Sequence, residues 1–384
     1  ALWALYFSFV SVGQRWYSFG WEFQLLETGF LALFLAPLLH PTKRIEAPKA
    51  TIYLSWWLAA RLMWGAGLIK IRGDACWTDL TCLEYHFETQ PVPNFLSPFF
   101  HSLPSWMLKL GVLCNHFVEL LLPFALLGTS RIRNAAGVIF IVFQLTLILS
   151  GNLSFLNWLS ILPFFLCIDD NVWRRLKPKR WNPTFTANRP TRLASYLYTP
   201  LVMYLSLPIA ANLLSENQAM NQTYDPFRLV NTYGAFGSVG RTRPEIILEG
   251  LSADGVWKEY EFKCKPGSVD RRPCWISPYH YRLDWLIWFA AMTAERDGSV
   301  GRDSWFIHFI WKLLHNDRLA LSLLAGNPFS KAPPLAIRAR VYQYRFGESD
   351  WWEREYSHTW IEAITKDTPE LKRFIRSRNW DLDP

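Results

Sequence analysis

The stretch KIRGDACWTDLTCLEYHFETQPVPN, Lys70 to Asn94, follows directly on Thr51 to Ile69, a run apolar enough to lie in a bilayer. It crowds Lys70, Arg72, Asp74, Asp79, Glu84, His86 and Glu88 around Cys76 and Cys82. Charges at this density do not stay in hydrocarbon, so a membrane edge falls near Lys70. Two physical readings are open at this point. In one, Lys70 and Arg72 snorkel to the interface, Asp74 pairs with one of them, and Trp77 and Tyr85 join an aromatic belt. In the other, Gln90-Pro91-Val92-Pro93-Asn94 stiffens a loop whose charges recognise a partner at the membrane surface.

Working outward, the 384 residues are 51% hydrophobic and 19% charged, and the apolar residues come in long blocks rather than evenly spread. Such blocks imply a membrane-embedded part followed by a water-exposed part. The blocks are Ala1 to Val12, Gln24 to His40, Thr51 to Ile69, Trp106 to Gly128, Ala135 to Ile168 and Ala194 to Leu214. The fifth is too long for one straight helix and is expected to break at Ser150, Gly151 and Asn152, forming a hairpin. Ala1 stands within a hydrophobic run, so the chain reads as a fragment whose start lies upstream.

The net charge of +8 does not point to nucleic acid, because no basic patch with interleaved aromatics accompanies it. Its Lys and Arg gather in three short loops: Lys43, Arg44 and Lys49; Arg131 and Arg133; and Arg174, Arg175, Lys177, Lys179, Arg180, Arg189 and Arg192. Placing all three on the cytoplasmic side puts Lys70 to Ser105 and the chain after Leu214 on the far side, with about seven crossings. Cysteine usage agrees with that sidedness. Cys76 and Cys82 fall in the opening loop, and Cys264 and Cys274 in the tail, so each pair is a candidate disulfide in an oxidising compartment. Asn221 and Asn152 match the glycosylation pattern, both close to an expected span.

The organisation expected is therefore a polytopic α-helical membrane domain, 1–214, followed by an α+β domain with antiparallel strands, 215–384. Ile246 to Leu251, Val256 to Cys264, Ile337 to Phe346 and Trp351 to Tyr356 are the candidate strands. Tyr281 to Thr293 and Ser304 to His315 have helical spacing, and Thr368-Pro369-Glu370 opens a last helix. In the membrane part, His116 and Glu119 are three residues apart and face the same way. Together with Lys70, Arg72, Asp74, His86 and Glu88 they form the candidate polar cluster, read either as packing pairs or as a lumen-facing site of a membrane enzyme or lipid-handling protein. Glu22, Glu27 and Arg61 add intramembrane charges that need partners, with Arg61 to Glu27 a candidate pair. Val230 to Val239 and Tyr279 to Trp288 carry aromatics and charge suited to transient binding, against the plainer alternative that Trp285, Leu286 and Phe289 are core. No zinc-protease, nucleophile-elbow or phosphate-loop motif is present, and no cofactor or metal site is expected.

GLIKIRGDACWTDLTCLEYHFETQPVPN, with QRWYSFGWEFQLLETGFLALFLAP, NHFVELLLPF, LILSGNLSFLNWLSILP, VNTYGAFGSV, YEFKCKPGSVDRRPCWISPYHYRLDWLIWFAA and LLAGNPF, closely resembles the lipase maturation factor family. The likeness covers nearly the whole chain and is greater to the first vertebrate paralogue than to the second. It implies a multi-pass endoplasmic reticulum membrane protein that assists folding, dimer assembly and secretion of lipases such as lipoprotein, hepatic and endothelial lipase. It also implies a lumenal C-terminal domain that engages the client. Lumenal oxidoreductases, recruited through the cysteines, are a further candidate partner, and membrane lipid surrounds the helices. The family transfers no catalytic residue. A more distant likeness of the membrane half to the vitamin K-dependent gamma-carboxylase rests on general pattern and is the source of the enzyme alternative.

Overall fold

A computed structural model describes residues 1–35, 46–176, 189–296, 298 and 304–380. Lys43, Arg44, Lys177, Lys179 and Arg180 of the basic loops lie outside the described residues. The chain forms two compact units, one of Ala1–Glu84 with Ser102–Val239, the other of Tyr85–His101 with Gly240–Pro384. The opening stretch is thus divided between them.

The first unit is helical. Its inner member is the Lys49–Arg72 helix, about 36 Å long at about 1.5 Å per residue. Leu58, Ala59, Arg61 and Leu62 at its middle are buried, so it lies inside the unit. Around it, three helices among the described residues are long and apolar enough to cross a membrane: Ser105–Leu127, Ser130–Ser150 and Arg189–Leu214. Their outward faces repeat large apolar side chains at helical spacing, as in Leu110, Leu113, Phe117, Leu121 and Phe124, or Val138, Val142, Leu145 and Leu149. Such stripes suit lipid. Seven crossings were expected, and residues 36–40 of the Gln24 to His40 block lie outside the described residues. Leu2–Val12 and Leu156–Phe165 are only 11 and 10 residues, and Gly20–Leu33 is 14. Ten residues rise about 15 Å, half a hydrocarbon core.

Two of these helices deviate from the expected form for local reasons. Ser105–His116 passes into a π turn over Phe117–Leu121 and a tight 3-10 turn over Leu122–Leu127. Pro123 explains the change, since it has no N–H to continue the α ladder and its ring crowds the carbonyl four residues back. The fifth block does break where expected: the helix ends at Ser150, Gly151 is fully extended, and Leu156–Phe165 runs back along Ser130–Ser150. Phe140 stacks on Phe164 at 4.6 Å, and the Asn157 amide donates to Gln144 at 2.8 Å. Gly137 lets this return helix approach, because a Cβ there would stand 2.8 Å from the Ile168 side chain.

The second unit is built on a four-stranded antiparallel sheet of order β2-β1-β3-β4, with β1 Arg243–Leu251, β2 Trp257–Tyr260, β3 Ala336–Phe346 and β4 Trp352–Ile364. Ile246, Leu248, Ile337, Ala339 and Val341 alternate onto one buried face. The Arg282–Arg296 helix packs against β1 and β3, and the Ser304–Leu314 helix against β3. β2 ends earlier than the alternation of Val256 to Cys264 suggested. Beyond Tyr260 the chain leaves the ladder: Phe262 bridges Leu324, and the N–H groups of Cys264 and Lys265 donate to the Asp284 carboxylate. The Cys264–Cys274 disulfide closes this excursion, and Cys76–Cys82 closes a turn in the helical unit, with Cα separations of 5.8 and 4.7 Å. Both lie within the span a disulfide bridges without backbone movement.

Candidate functional site

Lys70 stands in the last turn of the Lys49–Arg72 helix, where a cation favours the helix dipole, yet it is buried. Burial is tolerated because its ammonium is fully engaged. It reaches both Glu119 carboxylate oxygens at 2.6 and 2.8 Å and the Asn115 side-chain oxygen at 2.9 Å, and lies 4.9 Å over the Trp77 ring. Asn115 in turn donates to Glu119 at 2.9 Å. Glu119 sits in the π turn, which also fits its Cβ against Gly67 of the neighbouring helix. His116 joins this neighbourhood indirectly, with Nε2 2.9 Å from the Trp77 carbonyl. Asp74 caps the short Ala75–Thr78 helix by accepting from the Cys76 N–H at 3.0 Å, and its second oxygen accepts from the Val239 N–H at 3.2 Å.

The remaining members of the sequence-derived cluster go elsewhere. Arg72 donates to the Leu213 carbonyl and the Gln218 side chain, both at 2.9 Å, pinning the end of the last span helix. His86 and Glu88 belong to the sheet unit. The His86 ring meets Phe87 edge to face at 5.6 Å, and Glu88 accepts from the Phe346 N–H at 2.8 Å. The Gln90 to Asn94 segment, read as a loop for a partner, is buried in that unit. Asn221 is only partly exposed, and its amide donates to the Gly234 carbonyl at 3.1 Å. Asn152 is buried.

A second buried network links Glu27 and Arg61, which form the ion pair suggested by their intramembrane positions. The segment Asn231 to Tyr233 completes it. Arg61 donates to the Asn231 carbonyl at 2.8 Å, while the Asn231 N–H, the Asn231 amide and the Tyr233 hydroxyl all converge on one Glu27 oxygen at 3.1, 3.1 and 2.7 Å. Gly65 permits the approach, because a Cβ there would collide with the Tyr233 carbonyl. Val230, Asn231, Thr232, Tyr233 and Val239 are therefore buried, correcting the reading of Val230 to Val239 as an exposed surface.

A third network lay unsuspected in the sheet unit. Glu245 forms an ion pair with Arg243 at 2.7 Å and accepts from Lys265 at 2.9 Å, all three buried. The Arg243 guanidinium also donates to the carbonyls of Glu88, Gln90 and Pro91, which is what holds the Tyr85–His101 segment in this unit. Burial pushes the Asp284 carboxyl up, opposed by its backbone donors from Lys265 and Cys264. Burial, with Arg282 beside it, pulls His280 down to about 3, so it is neutral at pH 7. The available signal was the charge at alternate positions Arg243, Glu245 and Glu249 of an otherwise apolar strand, a period that puts all three on one sheet face.

That face opens to solvent toward the β1–β2 end. Arg338 pairs with Glu249 and stacks 4.0 Å over Trp257; Arg340 stacks 4.2 Å over Tyr356; Arg354 pairs with Glu259 at 2.7 Å and stacks 5.0 Å over Tyr342. Arg338 and Arg340 keep 26% of their side chains exposed and Tyr356 47%. Among the described residues, no three His, Cys, Asp or Glu side chains are grouped to hold a metal ion.

Span-length apolar helices around buried ion pairs, joined to a disulfide-closed antiparallel sheet unit, define a membrane protein of mixed architecture. Residues 1–175 match the lipase maturation factor transmembrane domain and residues 229–363 the lipase maturation factor C-terminal domain. The chain belongs to the lipase maturation factor family. It is 44% identical over 423 residues to mouse lipase maturation factor 1, covering all of this chain and 72% of that protein, and 44% identical over 419 residues to the human protein with the same coverage. Lipase maturation factor 2 of Xenopus laevis is 27% identical over 496 residues, covering 97% of this chain and 69% of that protein. No solved structure matches.

Proposed function

We propose that this protein is a membrane-bound, chaperone-like maturation factor of the endoplasmic reticulum that holds newly made secreted lipases, lipoprotein lipase among them, while their fold and dimer contacts form. The sheet unit lies in the lumen and engages the client; the helical unit anchors it. The observation that carries this reading is the open sheet face of Arg338, Arg340, Arg354, Trp257 and Tyr356, with Arg340 and Arg354 laid over rings of that face. Arg, Tyr and Trp are enriched at interface hot spots because each combines a large contact area with a polar handle, and Tyr and Trp lose little conformational freedom on binding. Here the cation and ring stacking holds them in place before a partner arrives. Closed cysteine pairs in both units suit an oxidising lumen. The client class comes from the relatives, which are lipase maturation factors.

The test is complementation of cells that lack their own maturation factor, comparing the wild-type chain with an Arg340→Ala/Tyr356→Ala variant at matched abundance. Specific activity of the secreted lipase should fall with the variant while lipase synthesis is unchanged. Equal specific activity would remove this face from the client interface.

A further inference from the structure

A second surface of the sheet unit is not used by this reading. Three segments bring aromatic rings around one cation: Phe95 from the Tyr85–His101 segment, Trp275 next to the Cys264–Cys274 disulfide, and Trp351 just before β4; Phe99 lies on the same segment as Phe95. Phe95 and Trp275 lie 5.6 Å apart, and the Arg272 guanidinium stands 4.6 Å over Phe95 and 5.6 Å from Trp351. Phe99, four residues beyond Phe95, is 60% exposed, Trp275 39% and Trp351 37%. Rings of this size standing in water at neighbouring positions are a cost unless something covers them. Arg272 is itself exposed and, among the described residues, forms no ion pair with a carboxylate.

The occupant follows from chain connectivity and chemistry. Phe99 precedes Ser105, the first residue of a span-length apolar helix, by six residues. Six residues reach at most about 21 Å at about 3.5 Å each, so the ring cannot stray far from the level where that helix enters the bilayer. Trp and Phe rings flanking an Arg are what the headgroup region accepts: the rings settle at the carbonyl level and the guanidinium meets lipid phosphate. A soluble client could come from any direction, but the membrane surface is held within reach of this patch by the chain itself. We propose that Phe95, Phe99, Trp275, Trp351 and Arg272 form a docking face by which the sheet unit rests on the lipid interface, Arg272 pairing with a lipid phosphate. The disulfide beside Trp275 fixes one of its three segments. Docking in this way would limit the orientations in which the sheet unit meets a client.

The experiment uses the full chain in phosphatidylcholine discs, in a Cys114→Ser/Cys167→Ser background that removes both free thiols. An environment-sensitive fluorophore is attached at Phe99→Cys, at Trp351→Cys as an independent second position, and at Leu319→Cys, a site 79% exposed on a short helix. Lipids brominated near the carbonyl level should shift the first two labels to the blue and quench most of their emission, leaving the Leu319 label unaffected. Adding Arg272→Glu should abolish most of that quenching, with resistance to trypsin reporting that the variant is folded. Water-like, unquenched emission at both patch positions overturns the proposal. So does equal quenching at all three, and so does protection that appears only when a purified lipase is added, which would assign the patch to a protein partner.

Discussion

Replacing Glu27 by Gln tests whether the buried Glu27 and Arg61 charges hold the helical unit together. Gln keeps the shape and leaves an oxygen for the Tyr233 hydroxyl and the Asn231 amide, so the change removes charge rather than volume. Arg61, 1% exposed, is then a buried cation with the Asn231 carbonyl as its remaining polar partner. Breaking one side of a buried pair costs about 3–5 kcal/mol because the other charge is stranded. In a unit of this size that lowers the unfolding midpoint by roughly 10 °C. Adding Arg61→Met removes the stranded charge, and the double variant should then lie above Glu27→Gln alone, short of wild type by about 1–3 kcal/mol for the unpaired Asn231 carbonyl. The assay is tryptophan-monitored melting of purified protein in lipid discs at one fixed scan rate. A midpoint for Glu27→Gln within about 2 °C of wild type, or a double variant worse than the single, would refute the reasoning.

Two further outcomes follow from the packing and the titration. Gly65→Ala drives a Cβ into the Tyr233 carbonyl, so the same melting assay should show a loss of about 1–3 kcal/mol; an unchanged midpoint would mean that the Asn231 to Tyr233 segment can move aside. His280 is folded as the neutral ring, its value pulled from 6.5 to about 3, so its stabilising contribution is complete above about pH 6.5 and is lost as pH falls toward 3. At about 1.36 kcal/mol per pH unit the loss is at most about 5 kcal/mol. Protection factors of the sheet-unit amides, taken relative to the intrinsic exchange rate at each pH, should fall over that window, and His280→Gln should flatten the response; identical protection profiles for the two proteins would contradict it.

How much of this was legible in the chain varies with the range of the interaction. The strands around Ile246, Ile337 and Trp351 and the helix opened by Thr368-Pro369 announce themselves through local period and caps, and the break at Ser150 and Gly151 through local composition. Both cysteine pairs are close enough in sequence, six and ten residues, for proximity to suggest them. Lys70 and Glu119 were singled out as charges in apolar surroundings, but nothing local says that they meet each other while Arg72, two residues on, turns to Leu213. A helical step of two residues points to a different side of the cylinder, and only packing decides what stands there. The Arg243, Glu245 and Lys265 network was missed because Lys265 follows Glu245 by 20 residues, outside the strand, and the backbone that Arg243 holds, Glu88 to Pro91, is separated from it in the chain by the span-length helices.

By itself the sequence determined that the chain has a membrane part and an α+β part, because transfer of apolar blocks out of water and the two backbone periods are properties of short windows. It also carried the family likeness. What only the tertiary structure decided is how the charges are spent: which are cancelled inside, which segment beyond the last span helix returns to complete a buried ion pair, and which cations remain at the surface among exposed rings. Those are facts about residues distant in the chain, and a charge becomes cheap or costly in a low-dielectric interior only according to the partner that the fold brings to it.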